Sequence, residues 1–398
     1  MPGTYGLVQI PSSVFPVFTS PLRKLILSGV LGEAFRRANR PENIKDESLD
    51  AFMTRRFGES FARTFGSALV HGIYAADSRK LSVRAAFPSL WTAEERGWGS
   101  VVRGMLMPSL PNFRRASDYD LGEASQILKN ASVYSFMDGM QTLTDELEYY
   151  LSNQSNVGIL RNTSVTLLQQ KEDKSFEVSP LLMKLVSAEY FVKITLSSGT
   201  SVNPTHVVST LPLPVLKTLL GPGQTILPHL TANPSSSVSV VDIIFPGPPS
   251  EIHPEGFGYL IPRPESDYSH SSPAILGTIF DSCSLQNRST QLTRLTMMLG
   301  GPYPSRATEN ITLPFILRNL EEHLQRRLPQ PVFWKVRQNE NCIPVPTPGH
   351  LERMEEMRKV LKDQWDGRLK VIGAGVGGVS VGDCVEAGKR VGQSWNNT

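Results

Sequence analysis

The chain has 398 residues, 40% of them hydrophobic and 19% charged, which is enough to bury a large core and to divide into two or three domains. A formal net charge of +3, with lysines and arginines scattered along the chain, argues against a nucleic-acid partner. Cys283, Cys342 and Cys384 form no close pair, which argues against a disulfide framework or a zinc site and suits a reducing compartment. No apolar run of about 18 residues or more predicts a membrane-spanning helix.

The first stretch, MPGTYGLVQIPSSVFPVFTS, shows neither a basic and apolar leader nor an Arg-rich amphipathic presequence. Residues 20–125 read as helical. In SPLRKLILSGVLGEAFRRA, the apolar Leu22, Leu25, Ile26, Val30 and Phe35 recur at three- and four-residue spacings with cations on the other side. Such a helix suits either a core-facing position or a membrane interface. DESLDAFMTRRFGESFARTFGSALVHGIYAA continues the pattern, with Asp46 or Ser48 as its N-cap. SFMDGMQTLTDELEYYLSN, at 135–153, reads as a further amphipathic helix entered through Gly139.

The character then changes. NVGILRNTSVTLLQQ and SAEYFVKITLSSGTSVNPTHVVSTLP are strand-like, with SSGTS as a turn. A second β-rich block covers about 236–301 and is punctuated by Pro/Gly/Ser-rich loops. Two helices follow, FILRNLEEHLQRRL and HLERMEEMRKVLKDQW, the second with acidic and basic residues at spacings that pair on a helix. Helices, then sheets, then a strand–glycine–helix tail predict a multi-domain α/β plus α+β protein.

The tail carries the most chemistry. In VIGAGVGGVS, Gly373, Gly375 and Gly378 fit the G-x-G-x-x-G dinucleotide pattern between a short strand at 369–372 and a helix in GDCVEAGKRVG. A dinucleotide fingerprint needs a second parallel strand and a ribose-binding acid about 20 residues on, and the remaining tail holds neither. One alternative is a strand-to-helix turn whose glycines permit close packing. Another is a helix N-terminus offered to a nucleotide, with Val379, Ser380 and Val381 giving backbone contacts and Asp383 capping the helix.

GVSVGDCVEAGKRVG resembles the C-terminal flavin-contacting segment of the protoporphyrinogen oxidase family, FAD enzymes of the amine-oxidase superfamily. Residues 46–91, SFMDGMQTLTDEL, THVVSTLP, GFGYLIP, TMMLGG and NCIPVPTPGH resemble further family segments in the same order, together spanning nearly all of 40–398. The resemblance implies an amine-oxidase-like FAD/NAD(P)-binding fold with a mixed-sheet substrate domain and a helical membrane-associated domain. It assigns 1–125 to the membrane-associated domain, 126–156 and 234–350 to substrate binding, and 157–233 and 351–398 to FAD. It places Val165, Val379, Ser380 and Val381 at FAD, and Gly72, Phe257, Leu260 and Met298 around the macrocycle of protoporphyrinogen IX. It names no catalytic side chain and no metal, with His71 and His350 in hydrogen-bonding roles.

The implied reaction is a six-electron oxidation to protoporphyrin IX in haem biosynthesis, with O2 reduced to hydrogen peroxide. The implied setting is peripheral, on the mitochondrial inner membrane, and the resemblance admits a homodimer. Family members open with a strand–GxGxxG–helix unit and an arginine for a substrate propionate, and this chain starts past both, so the FAD fold is expected to be incomplete at its N-terminus. A non-catalytic porphyrin-binding remnant and a different FAD-dependent amine or carotenoid oxidoreductase are the alternatives.

Overall fold

The computed structural model describes residues 2–3, 6–10, 20–108, 122, 126, 135–136, 138–170, 192–221, 226–269, 273–284, 291–304 and 311–396. The helical reading of 109–121 and the strand reading of 187–191 lie outside the described residues.

The N-terminal part is helical, with α1 (Arg23–Phe35), α2 (Leu49–Phe57), α3 (Ser67–Tyr74), α4 (Pro88–Arg96) and α5 (Val101–Leu106). Ser48 is the cap of α2: its hydroxyl accepts from the Ala51 amide at 3.1 Å, satisfying one of the orphan donors of the first turn. Asp46, the other candidate, takes a longer-range role. Its carboxylate accepts from the Ser82 hydroxyl at 2.7 and 2.9 Å and from the Gly349 amide at 2.8 Å, joining sequence regions 303 residues apart. Leu49, Phe52, Val70, Leu81, Trp91 and Val101 form the helical core.

Glu33 and Arg56 are both fully buried and paired at 2.6 Å. Glu33 also accepts from Ser100 Oγ at 2.8 Å and from the amides of Val101 and Val102 at 2.8 and 3.0 Å. A carboxylate thus fills the positive N-terminal end of α5 and pins it to α1. Burial alone would raise the pKa of Glu33; the hydrogen bonds from Val102, Arg56, Ser100 and Val101 outweigh it and hold the carboxyl below its usual range.

Helix α6 (Gln141–Ser152) follows, and none of its residues is buried. Beyond it, β1 (Val165–Gln170), β2 (Val192–Leu196) and β3 (Ser201–Val202) form an antiparallel sheet. Strand β4 (Val207–Ser209) and helix α7 (Leu213–Leu219) come next.

The largest sheet is built from β5 (Ser235–Pro246), β6 (Gly258–Leu260), β7 (Ile275–Ile279), β8 (Leu292–Gly300) and β9 (Phe333–Pro344), in the spatial order β9-β5-β8-β7-β6. Every ladder among these strands is antiparallel, where a mixed sheet was expected. Antiparallel pairing allows one face to be dry and the other open. Val241, Ile243 and Phe245 of β5 and Leu295, Met297 and Leu299 of β8 pack against Ile316, Leu320 and Leu324 of α8 (Leu313–Leu324). The alternate residues, Val240, Asp242 and Ile244 of β5 and Thr296 and Met298 of β8, are only half-buried.

Helix α9 (His350–Gln364) leads to β10 (Leu369–Val371), the glycine turn and α10 (Val381–Asn396). Strand β10 pairs in parallel with β4, Leu369 opposite Val207 and Val371 opposite Ser209. The parallel neighbour that the tail lacks is therefore supplied from about 160 residues upstream, and a single parallel bridge between Leu168 of β1 and Leu220 lies in the same unit. Leu168, Leu216, Met354, Trp365, Leu369 and Val371 bury together beneath it. The chain enters and leaves the large sheet at adjacent points, where the Val345 amide donates to the Pro234 carbonyl at 2.8 Å.

Candidate active site

The glycine turn forms directly after β10. The amides of Val376 and Gly377 donate to the Gly373 carbonyl at 3.0 and 3.2 Å, and Gly373 holds φ +113°, a conformation that a side chain would strain. Ser380 and Asp383 then cap α10 reciprocally. Ser380 Oγ accepts from the Asp383 amide at 3.0 Å, while Asp383 Oδ2 accepts from the Ser380 amide at 3.1 Å and the Ser380 hydroxyl at 2.7 Å. This is a capping box, with Ser380 as the cap itself rather than the expected Asp383. The amides left over, those of Val381 and Gly382, take no partner among the described residues, and Val381 is half-exposed. Val379 packs against the helical core around Phe52 and Trp91. Val165 opens β1 in the neighbouring sheet, opposite Leu196, and no hydrogen bond joins it to Val379–Val381.

His350 fixes the far side of this turn. Asn233 Nδ2 donates to His350 Nδ1 at 2.8 Å, which leaves the proton on Nε2, and Nε2 donates to the Val376 carbonyl at 3.3 Å. Asn233 Oδ1 in turn accepts from the Thr347 amide and from Arg353 at 3.2 and 2.9 Å. Burial lowers the pKa of His350, so the imidazole stays neutral and its tautomer is set by its neighbours.

Three of the four expected macrocycle residues are brought together. Leu260 of β6 pairs with Gly277 of β7, and Gly277 pairs with Met298 of β8, so the three occupy one rung on the sheet's open face. Gly72 of α3 lies over its end: a Cβ at Gly72 would fall 2.9 Å from Leu260 Cδ2. Phe257 precedes β6, is 56% exposed, and by strand alternation does not share the face of Leu260. Gly277 was missed in the sequence, although a lone glycine inside AILGTIF signals a close approach. A Cβ there would meet the Tyr259 carbonyl at 2.5 Å.

Beside the rung lies His71, whose Nδ1 is 2.6 Å from the Ile261 carbonyl and whose Nε2 is 2.9 Å from the Tyr268 hydroxyl. The carbonyl can only accept, so Nδ1 carries the proton and Nε2 accepts from Tyr268. Burial pushes His71 down to about 4, against the opposing pull of the Ile261 carbonyl and of Asp77, and it raises Tyr268 far above its ordinary value. Neither group titrates near neutrality, so neither is a general base at working pH. A surface cleft of about 490 Å³ lies elsewhere, between α4 and the start of α9. Arg40, Lys45, Arg84, Trp91 and Glu352 line it, and none of the expected site residues does.

Residues 14–393 match the family of flavin containing amine oxidoreductases. The chain belongs to this family. The protoporphyrinogen oxidase of Schizosaccharomyces pombe is 28% identical over 96% of this chain and 75% of its own length, and that of Homo sapiens 29% over 98% and 74%. The coproporphyrinogen III oxidase of Bacillus subtilis is 24% identical over 96% of this chain and 74% of its own length. Two solved structures share the fold. A protein from Exiguobacterium superposes with a TM-score of 0.70 at 20% identity, covering 98% of this chain and 78% of that one, and a putrescine oxidase with 0.58 at 12%, covering 99% and 78%.

The cofactor of this amine-oxidase fold is FAD, and the tail fits it. The free amides of Val381 and Gly382 present the positive end of α10. Ser209, at the carboxyl end of β4, buries a hydroxyl oxygen that has no hydrogen-bond partner among the described residues. It sits where open α/β sheets bind their ligands, beyond the carboxyl ends of parallel strands. No signal in the sequence marked Ser209, because its exposure and pairing are decided by the distant β10.

Proposed function

We propose that this flavoprotein oxidises protoporphyrinogen IX to protoporphyrin IX with O2 as electron acceptor. The observation that carries the reading is the likeness to protoporphyrinogen oxidases over at least 96% of the chain. The clustering of Leu260, Gly277, Met298 and Gly72 at an open apolar face supports it, because a flat macrocycle needs a wide apolar slot. The chemistry that FAD supplies when bound is hydride acceptance, with electrons passed on to O2 as hydrogen peroxide.

The chain's own residues bind, orient and exclude water. Val379, Ser380 and Val381, with the amides of Val381 and Gly382, would hold the flavin end of the cofactor, and Val165 its adenine end. His350 would hold the turn in register through the Val376 carbonyl. His71 and Tyr268 stay neutral, so neither adds a charge beside Leu260 and Gly277.

In this reading 1–125 associate with a membrane, 126–156 and 234–350 bind substrate, and 157–233 and 351–398 bind FAD. The memberships of the three main hydrophobic cores support that division. Phe35, Trp98 and Leu106, on and beside the adjacent α1 and α5, are 88%, 74% and 81% exposed, and Arg36 and Arg103 flank them. Exposed aromatics with cations suit peripheral attachment to a membrane face, the mitochondrial inner membrane being the one that the resemblance implies.

The test is aerobic incubation of the FAD-supplemented chain with protoporphyrinogen IX, read by porphyrin fluorescence and peroxide release. The expected result is a protein- and flavin-dependent rise in protoporphyrin with matching peroxide. A chain that retains FAD yet turns over coproporphyrinogen alone, or neither porphyrinogen, would overturn the proposal.

A further inference from the structure

The second face of the large sheet is covered unevenly among the described residues. Helix α3 lies across β6 and β7, with Gly72 against Leu260, Met298 of β8 and Val240 of β5 are half-buried beside Ala75 and Tyr303, and Arg337 of β9 is exposed. Strand register continues the rung of Leu260, Gly277 and Met298 onward through Val240 of β5 to Arg337 of β9. The result is a line of apolar residues running from α3 at one side to the exposed edge strand β9 at the other.

The cations on this face are not equivalent. Lys335 stands directly opposite Asp242, and Arg294 lies within the field of Asp281. Arg337 stands opposite Val240, is exposed, and makes no hydrogen bond or ion pair among the described residues. Among the described residues its guanidinium has no counter-charge, and it stands two strand spacings or about 10 Å from Met298. A planar fork of donors matches a carboxylate in two parallel hydrogen bonds, which a lysine does not reproduce.

We propose that Arg337 determines specificity for a propionate of the tetrapyrrole, receiving the carboxylate while the macrocycle lies over Leu260, Gly277 and Met298. This rests on the porphyrinogen reading above. The ring supplies apolar area to this line of residues, and its carboxylate edge points toward β9. An apolar tetrapyrrole without free carboxylates would keep the apolar contacts and lose the clamp.

The test uses the 398-residue chain with protoporphyrin IX and with its dimethyl ester, both in the same detergent, read by the Soret shift on binding, so it does not depend on turnover. Wild type is compared with Arg337→Leu, Arg337→Gln and Arg337→Lys, the glutamine variant serving if leucine on an exposed strand causes aggregation. Loss of one charge-assisted pair at a half-wet site predicts acid binding weakened about tenfold, with the ester unchanged within about twofold and lysine restoring part of the loss. Variants that weaken acid and ester alike, or neither, overturn the proposal while leaving the porphyrin reading intact. A wild-type chain that binds neither compound sinks both.

Discussion

Replacing Glu33 by glutamine tests the account of the helical part at its most loaded point. The carboxylate is fully buried and collects five donors: Arg56 Nε at 2.9 Å, Arg56 Nη2 at 2.6 Å, Ser100 Oγ and the amides of Val101 and Val102. Glutamine keeps the shape, but its NH2 turns two donors toward groups that also donate, and Arg56 is left with only the longer ion pair of its Nε to buried Glu94 at 3.8 Å. Breaking one partner of a buried, hydrogen-bonded pair costs about 3–5 kcal/mol. Because the chain has several cores, the loss should be local first, freeing α5 from α1 before the sheets open. Hydrogen exchange of the amides at 101–106 should therefore quicken by at least 100-fold, while the amides of β5 and β8 hardly change. The double variant Glu33→Gln with Arg56→Met should regain part of the loss, since it removes the stranded charge. Unchanged exchange at 101–106, or a double variant worse than the sum of the singles, would refute the reasoning.

Other outcomes follow from the same geometry. His350→Ala removes the donor to the Val376 carbonyl and strands Asn233, so FAD retention, measured as the flavin-to-protein absorbance ratio after gel filtration, should fall by about tenfold, as for a lost buried hydrogen bond of 1–2 kcal/mol. Gly277→Ala drives a methyl into the Tyr259 carbonyl and should lower the thermal midpoint of the large sheet or abolish soluble expression; a midpoint like that of wild type would contradict the packing. His71 is held at about 4, below its unfolded value near 6.5, so the unfolded chain binds the extra proton first. Its stabilising contribution is present above about pH 6.5 and is lost as pH falls toward 4, by about 3 kcal/mol for a buried imidazole. Between those pH values wild type should lose more of its urea midpoint than His71→Gln, and parallel losses would argue against a buried neutral imidazole.

The sequence made local structure and family legible, but not which distant pieces meet. Alternation in SSVSVVDIIF marked β5, and the strand–glycine–helix pattern marked β10, the turn and α10. The capping box was half seen: Asp383 was read as the cap because an acid near a helix start is favourable, whereas its reciprocal bond with Ser380 depends on the turn that Gly373 permits. The parallel partner of β10 was invisible, since β4 is three residues long and lies far upstream. Gly72, Leu260 and Met298 were named through resemblance. That Leu260 and Met298 share a rung with Gly277 and Arg337 follows from register, which a bulge between Met298 and Leu299 shifts and which periodicity cannot supply.

The adjacency of Pro234 and Val345 has a consequence for how the molecule is assembled. The two halves of the proposed FAD-binding unit are separated in the chain by the whole large sheet, yet Asn233 and Thr347 end up hydrogen-bonded side by side at 3.1 and 3.2 Å. In an unfolded chain, bringing together points separated by roughly 110 residues costs about 4 kcal/mol of chain entropy. Once the sheet has folded, its own ends already lie at this neck, and β4 meets β10 across a short gap instead of a long loop. The sheet is thus a scaffold for the proposed flavin site, and substitutions in β5 or β9 that slow its folding are expected to delay flavin capture without altering Val379, Ser380 or Val381.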